Sequence, residues 1–203
     1  GSGKTTLSYC LCGIIPHYLK GVMEGNVFID GKNTRQTPLY EMSSKIGIVL
    51  QDPNIQLLMP TVEDDIAFAQ ENHNIPREEI KKTVYQVMEL VGITALKHEN
   101  PNNLSGGEKQ LVALATVLAL NPSIIVFDES LSMLDDLATN RIISLMERLK
   151  QSGTTLIIID HTCKALGIYD KIFVLEKGEI IRRGTKESVL EDKLFLEKHK
   201  IFL

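Results

Sequence analysis

Gly1-Ser2-Gly3-Lys4-Thr5-Thr6 opens the sequence with small residues around one lysine. Such a run lets backbone N–H groups turn toward the oxygens of an anion, while a lysine adds a point charge and a threonine hydroxyl can ligate a hard cation. That chemistry suits a triphosphate, with Lys4 reaching the β- and γ-phosphates and Thr5 reaching Mg2+. The full pattern needs a glycine five positions before Gly3, so the sequence as given is expected to lack the front of this loop and the strands before it. A second constellation, Ile124-Ile125-Val126-Phe127-Asp128-Glu129, is an apolar strand that ends in two acids. Asp128 can hold Mg2+ through water, and Glu129 can take the proton from a water attacking the γ-phosphate. A third, Leu104-Ser105-Gly106-Gly107-Glu108-Lys109-Gln110, opens a helical pattern. Ser105 is a good helix cap, and two glycines at a helix start are costly unless something must approach the backbone closely. Two anion-facing half-sites for one triphosphate imply a head-to-tail dimer, each phosphate loop being closed by the partner's Ser-Gly-Gly turn.

These residues need elements to position them. The opening run leads into a helix with Leu7, Cys10, Leu11 and Ile14 expected on its buried face, ending at Pro16. Residues 26–31 read as a short strand into a turn, and 45–50 as a strand that delivers Gln51. Thr61 ahead of Glu63, Asp64 and Asp65 is helix-start chemistry. Pro76 with Glu78 and Glu79 starts a second helix, whose apolar stripe is Ile80, Val84, Val87, Met88 and Val91. Beyond Leu104 the pattern predicts helix 106–120, strand 123–128, helix 136–151, strand 155–160, a short helix, and strand 171–176 turning at Lys177-Gly178 into an edge hairpin. Strands 123–128 and 155–160 are almost wholly Ile, Val, Leu and Phe, as in a parallel sheet buried on both faces. The expected architecture is therefore α/β, a parallel sheet core with an all-helical piece inserted at 54–104. Ligands of such sheets bind at the carboxyl ends of the strands.

The 203 residues carry a net charge of −4 and a pI near 5.8, which argues against a nucleic-acid partner. No run approaches the roughly 18 apolar residues of a membrane span, so a membrane link would run through a partner. Cys10, Cys12 and Cys163 form no metal-binding or disulfide framework and read as small apolar packing residues.

Together these residues resemble the ABC ATPase family. Leu104-Ser105-Gly106-Gly107-Glu108 looks like its signature motif, Ser132-Met133-Leu134-Asp135 like its D-loop, and Asp160-His161-Thr162 like its switch-histidine loop, while Gln51 falls at its Q-loop. The resemblance spans the whole chain. It implies a P-loop NTPase (RecA-like) fold, with 1–53 and 105–203 as core and 54–104 as helical insert, and an ATPase activity using ATP and Mg2+. It further implies that Gly1, Ser2, Gly3, Lys4, Thr5 and Thr6 bind phosphates, and that Ser105, Gly106, Gly107, Glu108 and Asp135 reach a nucleotide across a dimer. Thr5, Gln51 and Asp128 would hold Mg2+, and Glu129, His161 and Gln51 would serve catalysis. The sequence departs from the family pattern at Glu108 (usually Gln), Ser130 (usually Pro), Leu111 (usually Arg) and Asp160 (usually a small or hydroxyl residue). None of these removes a catalytic group.

Leu50-Gln51-Asp52-Pro53-Asn54-Ile55-Gln56-Leu57-Leu58 and Thr61-Val62-Glu63-Asp64-Asp65-Ile66-Ala67-Phe68 are similar to the energy-coupling-factor and cobalt-type importer ATPases. The resemblance implies uptake of a vitamin or metal ion, a transmembrane coupling subunit, a substrate-binding membrane subunit, a second ABC ATPase, and a peripheral place on the cytoplasmic face of the membrane. Leu57, Leu58 and Met59 are either core of the insert or the groove for the coupler. The alternative is a soluble ABC ATPase of translation or DNA repair. Against it, Gln51 to Ser105 spans only 105 − 51 = 54 positions without sustained heptads, and the acidic chain has no basic linker.

Overall fold

The computed structural model describes residues 2–132, 134–161, 164–199 and 201; Gly1, Met133, Thr162 and Cys163 lie outside them. In chain order the elements are α1 (Lys4–Leu11), α2 (Ile14–His17), β1 (Phe28–Ile29), β2 (Lys32–Asn33), α3 (Leu39–Ser43) and β3 (Ile46–Val49). There follow α4 (Val62–Asn72), α5 (Arg77–Val91), α6 (Gly106–Leu118), β4 (Ile124–Asp128), α7 (Asp136–Gln151) and β5 (Thr155–Ile159). The hairpin β6 (Lys171–Glu176) and β7 (Glu179–Thr185), then α8 (Lys186–Leu190) and α9 (Lys193–Lys198), complete the order.

The central sheet is β3-β4-β5, parallel throughout, with Ile46 opposite Ile124 and Ile124 opposite Thr155. Side chains alternate across a strand, so the apolar run of β4 must be covered twice. Ile125 and Phe127 enter a core with α4, α5, α6 and α7, joined by Val49 of β3 and Leu156 and Ile158 of β5. Val126 enters a second core with Cys12, Ile29, Met42 and Ile46, against which Ile157 and Ile159 pack. Both faces of β4 are thus closed.

The 54–104 stretch holds α4 and α5 and no strand among its described residues. Thr61 caps α4 by accepting from the Asp64 N–H at 3.3 Å, and the predicted stripe of α5 is buried at all five positions. That stripe belongs to the same apolar cluster as α6 and β4, so α5 shares the interior of the central sheet. No helix among the described residues is long and apolar enough to cross a membrane.

Three expectations are corrected. Helix α1 ends at Leu11, and a second helix, α2, runs through Pro16; Ser8 is buried and Leu7 is 43% exposed, while Leu11 and Ile14 are half-buried against the second core, the hydrogen bond from Ser8 to Asp128 setting this rotation of α1. Strand β5 is only half-buried at Leu156–Ile159 because it is an edge of the three-stranded sheet. Between β5 and β6 the described residues form turns and no helix; Gly167 interrupts the segment, and Ile168 bonds only three residues back, to Ala165.

Gly47, opposite Ile125 in the sheet, lies beneath α6 so closely that an added Cβ would collide with Val117. Gly47→Ala is expected to lower stability by about 1–3 kcal/mol, the usual cost of overpacking a close-packed interior. Urea unfolding measures it, and an unchanged midpoint would mean that α6 does not sit this close to β3.

Candidate active site

Parallel pairing sends the ends of β3, β4 and β5 to one edge of the sheet. Gln51 follows β3 by two residues, Asp128 closes β4 with Glu129 next, and Asp160-His161 follows β5. Helix α1 starts at the same edge. Gly3 caps it in a left-handed conformation, φ 90°, which glycine adopts without strain.

Asp128 is 2% exposed and lies under α1. Ser8 Oγ donates to its Oδ2 at 3.1 Å, and Thr5 Oγ1 lies 3.4 Å from its Oδ1. Burial pushes its pKa above the ordinary carboxylate value; the Ser8 and Thr5 hydroxyls pull it down, the Glu129 charge pushes it up again, and Lys4 pulls it down. The same burial, with the Asp128 charge second, pushes the Cys12 thiol up to about 12, so Cys12 is inert packing.

Glu129 sits between two cationic or potentially cationic groups. Lys4 Nζ is 3.6 Å from its Oε1 and His161 Nδ1 is 3.6 Å from its Oε2. Its backbone is left-handed, φ 51°, where non-glycine residues are strained. That conformation is held by its N–H donating to Ile159 O at 2.9 Å and by its carbonyl accepting from Ser132 N–H at 3.1 Å and Ser132 Oγ at 2.7 Å. The strand ends at Asp128, which is buried, and Glu129 beyond it is half-buried.

Gln51 is exposed and shares a cavity of about 520 Å³ with Thr5, Tyr9, Asp128, Gly106 and Gln110. Ser105 caps α6 in a reciprocal box: its Oγ accepts from Glu108 N–H at 3.3 Å, while Glu108 Oε2 accepts from Ser105 N–H at 2.8 Å and Ser105 Oγ at 2.7 Å. Those bonds hold the Glu108 carboxyl below its usual pKa. An added Cβ at Gly106 would meet nothing within 4 Å, so its backbone is open to approach.

The sequence-expected residues divide accordingly. Lys4, Thr5, Asp128, Glu129 and His161 come together in direct contact, and Gln51 and Gly106 line the cavity beside them. Ser2 joins through Lys4 Nζ, which donates to its Oγ at 3.1 Å, whereas Thr6 is exposed. Ser105 and Glu108 are engaged with each other, and Asp135 caps α7 by accepting from the Ala138 N–H at 2.8 Å. Gly1 lies outside the described residues. Sequence reasoning missed Ser8 as a partner of Asp128, although its place one helical turn beyond Thr5 puts both on one face.

No group of three or more His, Cys, Asp or Glu among the described residues could hold a metal ion. One carboxylate and one hydroxyl facing each other, Asp128 and Thr5, do suit Mg2+, which takes few protein ligands beside substrate oxygens and water.

Residues 1–132 match the family model of the ABC transporter domain. The energy-coupling factor transporter ATP-binding protein EcfA1 of Mycoplasma pneumoniae is 40% identical over 201 residues, covering 99% of this chain and 72% of that one. CbiO1 of Clostridium perfringens, described as part of the ABC transporter complex CbiONQ, superposes with a TM-score of 0.80 at 31% identity, covering 100% of this chain and 80% of that one. The cassette MJ0796, solved as a dimer in a post-hydrolysis state with ADP and Pi, superposes at 0.78 with 28% identity, covering 91% and 81%. The chain belongs to the ABC transporter ATP-binding family. It is an ATPase cassette of that family, with ATP as substrate and Mg2+ as cofactor, and it is similar to the energy-coupling-factor and cobalt-type members.

A raised pKa means that folding favours protonated Asp128, so its ionisation withdraws stability as pH climbs from the ordinary carboxylate value through the folded one. Asp128→Asn is therefore expected to be more stable than the native protein in urea near pH 7 without nucleotide. The gap should close as pH falls toward about 4, and a gap independent of pH would remove the electrostatic explanation.

Proposed function

We propose that this chain is the ATP-hydrolysing subunit of an importer of the energy-coupling-factor type, powering uptake of a vitamin or metal ion through a membrane partner. The observation that carries the hydrolytic part is Glu129, held between Lys4 and His161 beside the buried Asp128. Its carboxylate takes the proton of a water as that water's oxygen bonds to the γ-phosphorus. The bond from the γ-phosphorus to the β–γ bridging oxygen breaks, and its electron pair leaves with ADP. Lys4 offsets the phosphate charge, and His161 hydrogen-bonds the γ-phosphate and the attacking water. Thr5, Asp128 and Gln51 would hold Mg2+, which would supply positive charge against the triphosphate.

The rest of the site is supplied across a dimer. Ser105, Gly106, Gly107 and Glu108 of one copy, with its Asp135, close over the Ser2–Thr6 loop of a second ABC ATPase. The open backbone at Gly106 and the N-terminus of α6 support this reading. Residues 1–53 and 105–203 act as core and 54–104 as the helical insert that meets the membrane subunits. Leu58 is 71% exposed and Ile55 61%, both within seven positions of Gln51, whereas Leu57 packs against the core. This supports a docking point for the transmembrane coupler at Leu58 with Ile55; of the Leu57–Met59 run only Leu58 is exposed. A peripheral position on the cytoplasmic face of the membrane follows from that docking.

In the full-length protein, Glu129→Gln is expected to bind ATP as before and to lose on the order of 10²–10⁴ in hydrolysis rate, the usual contribution of a general base. Near-native turnover would overturn the assignment.

Leu58→Asp is expected to weaken co-purification with the membrane subunits while sparing the basal ATPase of the soluble dimer. If basal activity and assembly fall together, Leu58 serves the fold and not the docking.

A further inference from the structure

Gln110 lies on α6 and is 2% exposed. Its Nε2 donates to two carbonyls belonging to different strand ends, Leu50 O at 3.0 Å and Ser130 O at 3.0 Å. Leu50 immediately precedes Gln51, and Ser130 immediately follows Glu129. The other half of the amide, Oε1, is buried without a hydrogen-bond partner among the described residues. An unpaired buried amide oxygen is a cost that a hydrocarbon of the same size would avoid. What a hydrocarbon could not supply is the pair of donor bonds.

A second amide works on the same peptide. Gln56 Oε1 accepts from the Leu50 N–H at 3.2 Å, and Gln56 Nε2 donates to Ala113 O at 3.1 Å and Thr116 Oγ1 at 3.2 Å, both on α6. Leu50 is therefore fixed to α6 on both its N–H and C=O sides, and Gln51 is the first residue beyond the clamp. Helix α6 is also the helix whose first turn carries Ser105 and Gly106. N–H···O bonds persist only over about 2.7–3.2 Å. A displacement of α6 by about 1 Å must then either carry both carbonyls with it or break both bonds.

We propose that Gln110 is a positioning residue for hydrolysis: it holds the pivot of Gln51 and the far side of Glu129 at a fixed separation and ties both to the helix that meets the partner's nucleotide. Closure of the Ser105 end of α6 onto a triphosphate is thereby transmitted to the catalytic base and to the Gln51 turn through one side chain. This inference rests on the proposed roles of Glu129 and Gln51.

Gln110→Met keeps length and bulk but removes both donors. In the full-length protein its kcat for ATP is expected to fall by about 10²-fold, the scale of a roughly 1 Å misplacement of a reacting group. KM and the affinity for ATP are expected to stay within about threefold of native, and the loss of kcat is expected to persist well below any lowered thermal midpoint, at temperatures where the variant is fully folded. Gln110→Glu gives a second reading, because a carboxyl donates only when protonated: its kcat relative to the native enzyme is expected to rise as pH falls. A native kcat in Gln110→Met, a fall in kcat that tracks a lowered melting midpoint, or a flat relative pH profile in Gln110→Glu would each overturn the proposal. Glu129→Gln, measured alongside, separates the two readings. If it abolishes hydrolysis while Gln110→Met does not, the tie alone is wrong; if it keeps turnover, the base is misassigned and the tie falls with it.

Discussion

Strand β4 is apolar from Ile124 to Phe127, and its first polar side chain, Asp128, is as buried as the strand itself. Holding a carboxylate at that depth is the constraint on which the site depends. It requires donors from another element, and α1 supplies them from Ser8 and Thr5. Those hydrogen bonds fix the rotation of α1 about its axis, against the preference of Leu7 for burial, and so fix where the Gly3–Thr5 turn and the Lys4 ammonium lie. A cation brought in with a triphosphate would relieve the strain that burial places on Asp128.

One residue further on, the chain leaves the sheet. The left-handed backbone of Glu129 costs on the order of 1–3 kcal/mol for a residue with a side chain. The surrounding structure enforces it through three backbone and hydroxyl bonds from Ile159 and Ser132. The return is a second carboxylate turned toward Lys4 and His161 instead of continuing the buried alternation of β4. Two adjacent acids thus occupy different environments, one buried among hydroxyls and one half-open between basic groups.

Helix α6 links this chemistry to the rest of the molecule. Leu111 through Ala115 are buried against β3, α4 and α5, and Gly47 lets the helix approach the sheet at close range. The helix begins on a reciprocal cap with its Ser105 end exposed, and sends Gln110 inward among the strand ends. A close-packed element of this kind transmits strain, and Ser105 and Gln110 lie within about one and a half turns of each other on it.

Much of this was legible in the residues themselves. The Gly-Lys-Thr turn, the apolar strand closing on Asp128-Glu129, the cap at Ser105 and the five-residue stripe of α5 are local patterns, set by periodicity, propensity and capping chemistry. Each is written within a few residues of chain and so is visible before its partners are known. The exposure of Leu7 on α1, the half-burial of β5 and the two hydrogen bonds donated by Gln110 were not legible. In the first and last of these a partner distant in sequence decides the outcome, Asp128 against Ser8 at a separation of 120 residues and Leu50 against Gln110 at 60, and in the second the strand's place at the edge of the sheet does. Hydropathy favoured Leu7 over Ser8 for the interior; a buried carboxylate that must be hydrogen-bonded outweighed it, and only the tertiary structure brings that carboxylate to the helix.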